Sequence, residues 1–276
     1  MTLSQIGQEK VDKAYMAQLI KDIVQGLDEI TGLDTVWKKG IVHTGGPHYR
    51  LKGTLGPVSL GEDECMVFGQ LVDEFRPSNC FIIGNAFGMS SVFIAKIMES
   101  YGARSVITLD SKSEGDGERC FEAAAKLRER MNCRILKNKS GWSPRDIHQT
   151  VEDESYDLIF IDGDHSHPQV TLDLEGVQYL ARQDTILCWH DYWLAGVPES
   201  VQAAQESGYH CIKINSSCEI VFGTRSEAVF KRIKATFSNT EEPHKRFRPK
   251  AYLKLFYILL LGAIKTYSPI KALSTP

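Results

Sequence analysis

The sequence predicts a doubly wound α/β fold: a sheet of seven strands, the last of them antiparallel, with helices on both faces. Three observations carry this prediction. Five short apolar runs recur through the middle of the chain, and helical periodicity separates them. The first run, Cys80-Phe-Ile-Ile-Gly-Asn-Ala-Phe-Gly-Met-Ser-Ser, passes through a glycine-bearing turn directly into a helix. After the fifth, Tyr209-His-Cys-Ile-Lys-Ile-Asn and Cys218-Glu-Ile-Val-Phe-Gly are joined only by a tight turn, so they must pair antiparallel.

At 276 residues, with 42% hydrophobic and 24% charged residues, the chain is ordinary globular material and can hold one large domain with extensions. Its net charge of −3 leaves no electrostatic footprint for nucleic acid, so a small-molecule partner is expected. Seven cysteines at 65, 80, 120, 133, 188, 211 and 218 have neither metal-ribbon nor disulfide spacing. They read as buried thiols in a reducing compartment. The polar start, Met1-Thr-Leu-Ser-Gln, lacks the apolar core of a secretory signal, which points to the cytoplasm.

The N-terminal segment, residues 1–60, divides in two. Ile6, Val11, Leu19, Ile23 and Leu27 form a helical stripe over residues 4–30, which reads as a capping helix or a homo-oligomer contact. Residues 38–61 are rich in Gly and Pro and read as a lid loop. His43, His48 and Tyr49 in that loop are either substrate contacts or solvated side chains. A helix from Glu62 to Phe75 then opens the core, residues 61–226.

In the glycine turn, Gly84 and Gly88 permit positive φ and close backbone approach, and the helix beyond offers free N–H groups to a ligand. Gly84, Asn85, Ala86, Phe87 and Gly88 are therefore candidate cofactor contacts, and a purely structural turn is the alternative. The next strand, Arg104 to Asp110, ends in an acid at the spacing of a ribose-binding carboxylate, followed by Ser111; a helix cap is the other reading. After a helix from Glu118 to Met131 and a third strand from Cys133, Ser140-Gly141 forms a polar turn suited to an adenine edge. The fourth strand, Tyr156 to Asp162, delivers Asp162, Asp164, His165 and His167 at its carboxyl end, ahead of a helix over 168–181. The fifth, from Thr185, ends in His190-Asp191, and a helix from Glu199 to Ser207 follows.

Over residues 60–225 this order of parts resembles the class I S-adenosylmethionine-dependent methyltransferases, which are Rossmann-like. The resemblance implies S-adenosylmethionine as cofactor, held by Gly84 to Gly88, Asp110, Ser111, Ser140, Gly141 and Asp162. Ile83 stands where many members carry an acid. Within the superfamily, Phe160-Ile-Asp162-Gly-Asp164-His165 together with Trp189-His190-Asp191 is similar to the metal-dependent O-methyltransferases of the catechol and caffeoyl-coenzyme A type. That implies O-methylation of a small molecule, assisted by a divalent ion on Asp162, His190 and Asp191. His190 departs from the usual carboxylate or amide ligand, and imidazole suits Mn²⁺, Fe²⁺ or Zn²⁺ better than Mg²⁺.

Other readings stay open. Asp162 and Asp164 are also placed to cap the following helix, with His190-Asp191 a paired hydrogen-bonding element beneath the cofactor, and without a metal His165 or His167 serves as general base. A nicotinamide-dependent oxidoreductase shares the turn and the acid, but favours a third glycine and a parallel sixth strand. In a non-catalytic membrane-associated protein the working part is the extension, residues 227–276. There a basic stretch from His244 to Lys250 precedes an apolar one over 252–264, short of the roughly twenty residues a spanning helix needs. It reads as a packed helix or as a peripheral membrane contact through 244–264.

Overall fold

Strands covered on both faces need no polar alternation, and the apolar runs form the inner strands of such a sheet. The computed structural model describes residues 12–32, 35–39, 47–51, 60–110, 117–141, 146–147, 155–194, 196–216 and 218–238. In chain order these give α1 (Lys13–Thr31), β1 (Thr35–Lys39), β2 (Pro47–Leu51), α2 (Glu62–Phe75), β3 (Asn79–Ile83), α3 (Met89–Ser100), β4 (Ser105–Asp110) and α4 (Gly117–Arg130). Then come β5 (Leu136–Ser140), β6 (Tyr156–Ile161), α5 (His167–Gln178), β7 (Ala181–Trp189), α6 (Val197–Glu206), β8 (His210–Ile214), β9 (Ile220–Thr224) and α7 (Glu227–Phe237).

The seven-stranded sheet has the order β5-β4-β3-β6-β7-β9-β8, with β9 antiparallel to both of its neighbours. The predicted hairpin therefore closes the sheet, inserting its second strand beside β7. Alternate residues of β3 face opposite layers. Cys80 and Ile82 join the core beneath α1, α2, α3, α4 and α7, whereas Phe81 and Ile83 join the one beneath α5 and α6.

Three elements differ from expectation. The glycine-rich segment read as a lid loop, residues 38–61, contains β2 and the end of β1, which pair antiparallel. Helix α1 starts at Lys13, where the carboxylate of Asp12 accepts from the Ala14 N–H at 3.0 Å. Helix α7, assigned from sequence to a separate extension, packs on the sheet: Ile233 and Phe237 are buried, and Arg232 donates to Glu74 at 2.6 Å. Residues 239–276, including the stretch 244–264, lie outside the described residues, as do His43 and the residues before Asp12. Among the described residues no helix is long and apolar enough to cross a membrane. All seven cysteines are free thiols.

Candidate active site

Parallel pairing lines up the carboxyl ends of the inner strands. Ile83 is in register with Leu109 and with Ile161, Ile161 with Trp189, and Asp110 with Ser140. The residues one step further on form a single row across the sheet: Ser140, Asp110, Gly84, Asp162 and His190. Backbone hydrogen bonds carry the ladder into that row, from Gly84 N–H to the Leu109 carbonyl at 2.9 Å and from Asp162 N–H to the Ile83 carbonyl at 2.8 Å. Five of the residues singled out from the sequence thus stand side by side.

One half of the row is a shallow open crevice lined by Gly84, Leu109, Asp110, Gly141, Gly163 and Asp173, among others. Three of its ten lining residues are glycines. Gly84 has φ +86°, and a Cβ there would lie 2.0 Å from the Asp162 carbonyl oxygen. Asp110 Oδ2 accepts from the N–H groups of Asn85 at 2.7 Å and Ala86 at 2.6 Å, so this acid ties the glycine loop to β4. Gly88, at φ +85°, caps α3 against Ala124, and Asn85 accepts from the Ser91 hydroxyl. Phe87 is buried in the core rather than in the crevice. Ser140 is exposed at the end of β5, and Ser111 lies outside the described residues.

Sequence reasoning missed Asp173. It is buried on α5, one oxygen accepts from Gln169 at 2.7 Å, and the other has no partner. Burial pushes its carboxyl up to about 7.

The other half of the row is a knot of charged side chains. His190, 3% exposed, places Nδ1 2.9 Å from Asp162 Oδ1 and 3.4 Å from Asp191 Oδ2. His165 Nε2 lies 3.6 Å from each of those two oxygens and has no hydrogen-bond partner. Asp191 has a positive φ of 54°, a strained conformation for a residue with a side chain, and its Oδ1 accepts from Trp193 Nε1 at 3.0 Å. Behind this group sits Glu64, fully buried, a residue the sequence reading placed only in a helix. Its Oε2 lies 3.1 Å from His190 Nε2 and accepts from Gly61 N–H at 2.9 Å; its Oε1 accepts from the Ser216 hydroxyl at 3.1 Å and Cys218 N–H at 2.9 Å. The available signal was an acid on an apolar stripe, since Glu64 falls between Leu60, Phe68 and Leu71, all buried.

The electrostatics follow from burial and pairing. Burial opposes charge on His190, but Asp191, Asp162 and Glu64 outweigh it and raise the imidazole well above its ordinary value. In turn, the His190 charge overcomes burial at Glu64, Asp162 and Asp191 and holds all three carboxylates below their usual range. His165 is raised, because Asp162 and Asp191 outweigh its burial. His167 begins α5 within reach of sequence but contributes no described side chain.

Residues 81–192 match a family model described as a methyltransferase domain. That stretch of the chain, which holds the glycine turn and the Asp162 and His190 ends of the row, is similar to methyltransferase domains. No curated protein matches the sequence. Among solved structures, an O-methyltransferase from Bacillus cereus in complex with SAH is similar at 15% identity and a TM-score of 0.53, over 75% of this chain and 90% of that one. TomG, an O-methyltransferase from Streptomyces achromogenes in complex with SAM, is similar at 13% identity and 0.52, over 80% and 92%. The SAH-bound methyltransferase PaMTH1 from Podospora anserina is similar at 12% identity and 0.53, over 80% and 100%. At these identities the structures establish the methyltransferase fold.

The knot also offers a donor set that could hold a metal ion. Ligand atoms of Asp162, His165, His190 and Asp191 all lie within 4.8 Å of one another. A second set, Glu64, His190 and Cys218, is equally close but chemically poorer: burial keeps the Cys218 thiol protonated, and both Glu64 oxygens are occupied.

Proposed function

We propose that the chain transfers the methyl group of S-adenosylmethionine to an oxygen of a small-molecule acceptor, assisted by a divalent ion held by Asp162, His190 and Asp191. The observation carrying this reading is the single row that sets those donors directly beside the glycine crevice. When bound, the cofactor supplies an already activated methyl group and the ion lowers the pKa of the acceptor hydroxyl.

The chain's own residues bind and align. Gly84 lets the backbone approach the ligand closely, Asp110 at the end of β4 would receive ribose hydroxyls, and Ser140 and Gly141 would take the purine side, with Ser111 a further contact proposed from the sequence alone. Asp162 serves both halves, with its backbone against Gly84 and its carboxylate against His190. Free thiols throughout suit a cytoplasmic setting.

A metal-free mechanism is the second reading. It is favoured by the unpartnered Nε2 of His165, which would take the acceptor proton, with His167 as the neighbouring candidate. Exhaustive chelation separates the two. On the metal reading, transfer to a panel of phenolic acceptors stops while SAH still binds calorimetrically. Transfer that survives chelation but is lost in His165→Ala establishes the general base instead, and a protein that binds no SAH overturns both.

A further inference from the structure

We infer that the metal centre is a two-histidine, two-carboxylate site selective for a borderline transition ion over Mg²⁺, with His165 as fourth ligand and Glu64 as the carboxylate that orients His190. This rests on the metal reading above and adds two residues to it.

His165 Nε2 stands 3.6 Å from both Asp162 Oδ1 and Asp191 Oδ2, and His190 Nδ1 stands 2.9 and 3.4 Å from the same two atoms. Ligands about 2.0 to 2.2 Å from a common ion lie roughly 2.9 to 3.6 Å apart, so the spacing is that of one coordination sphere. A nitrogen buried without a hydrogen-bond partner costs free energy unless something accepts its lone pair or proton, and His165 Nε2 is such an atom.

Glu64 decides which nitrogen of His190 is available. Held by Gly61 N–H, Ser216 Oγ and Cys218 N–H, it cannot swing away, and it accepts the Nε2–H at 3.1 Å. Nδ1, on the side of Asp162 and Asp191, would then be the nitrogen that gives up its proton to a bound ion. A carboxylate behind a ligating imidazole fixes its tautomer and raises its basicity. Trp193 does the corresponding service for Asp191 by occupying Oδ1 and leaving Oδ2 toward the histidines. Two imidazoles favour Zn²⁺, Fe²⁺, Co²⁺ or Mn²⁺, whereas Mg²⁺ prefers an all-oxygen shell.

The test is Co²⁺ binding to chelator-treated full-length protein, read by visible absorption and calorimetry, with SAH affinity measured in parallel. One Co²⁺ per chain is expected, resisting about a thousandfold excess of Mg²⁺. Glu64→Gln and His165→Ala should each weaken Co²⁺ binding about ten- to a hundredfold and leave SAH affinity unchanged. His165→Ala, on the more open side of the site, keeps the test valid if Glu64→Gln fails to fold. Displacement of Co²⁺ by equimolar Mg²⁺ overturns the selectivity. Wild-type Co²⁺ affinity in His165→Ala, alongside loss in Asp191→Ala, overturns the fourth ligand while sparing the three-ligand reading. No Co²⁺ binding by a protein that binds SAH overturns both metal statements and leaves the methyltransferase assignment standing.

Discussion

The two halves of the sheet edge are built on different principles. The crevice at β3, β4 and β5 depends on close backbone approach at glycines: Gly84 and Gly88 hold positive φ, and a Cβ on Gly141 would meet Asp146 at 2.6 Å. The knot at β6 and β7 is made of side chains that are present and mutually dependent, since His190 reaches Asp162 across 28 residues of sequence and Glu64 across 126. A backbone-built site tolerates its neighbours but not a new atom. A side-chain network tolerates new atoms at its rim but not the loss of one partner.

That contrast is broken most directly at Glu64. Glu64→Ala strands a buried imidazole and removes acceptors from Gly61, Ser216 and Cys218, so urea denaturation should show a loss of about 3 to 5 kcal/mol. Near-native stability would mean that the knot is not a unit. For the crevice the matching experiment adds an atom. Gly84→Ala drives a Cβ against the Asp162 carbonyl at positive φ, and a cost of about 2 to 4 kcal/mol is expected in the same assay. A cost under about 1 kcal/mol would show that the loop yields.

Asp110→Ala sharpens the comparison, because this side chain lines the crevice and also ties the glycine loop to β4. Ten- to a hundredfold weaker SAH binding, about 1.5 to 3 kcal/mol, is expected by calorimetry. Unchanged affinity in the folded variant would reduce Asp110 to a tie for the Asn85 and Ala86 amides.

The smallest effect concerns Asp173, which lines the crevice together with Asp110 and Asp164. Its folded pKa of about 7 exceeds the unfolded value of about 3.9, so the neutral form is favoured by folding. The associated stability is fully present below about pH 4 and is lost as pH rises through 7. Asp173→Asn stays neutral throughout. Its thermal melts should match wild type near pH 4 and exceed it at pH 8 by the equivalent of about 1 to 2 kcal/mol. A difference independent of pH would refute the burial argument.

Much of the fold was legible because strand and helix periodicities are local. The glycine turn, the acid ending β4 and the tight turn between β8 and β9 each occupy a few consecutive residues, so their consequences could be read from spacing. Helix α7 was not legible as part of the domain, because its amphipathic pattern says only that something covers it; the sheet near β8 and β9 supplies the cover through Ile233 and Phe237. Glu64 was hard to read for a related reason: an acid in the first turn of a helix is an ordinary dipole partner on the surface, and its place on the stripe of Leu60, Phe68 and Leu71 hints at burial without naming the distant groups it meets.

By itself, then, the sequence determined the strand order's ingredients and the membership of the row Ser140, Asp110, Gly84, Asp162 and His190, since each is the residue that follows or ends an apolar run. Only the tertiary structure decided how those ends are used. It brought Glu64 behind His190, turned His165 Nε2 toward two carboxylates, and left Asp173 at the crevice with one oxygen unpartnered. The physical reason is range. Periodicity and turn chemistry act over a few residues, whereas the burial that sets the charge and tautomer of these groups depends on segments up to 154 residues apart.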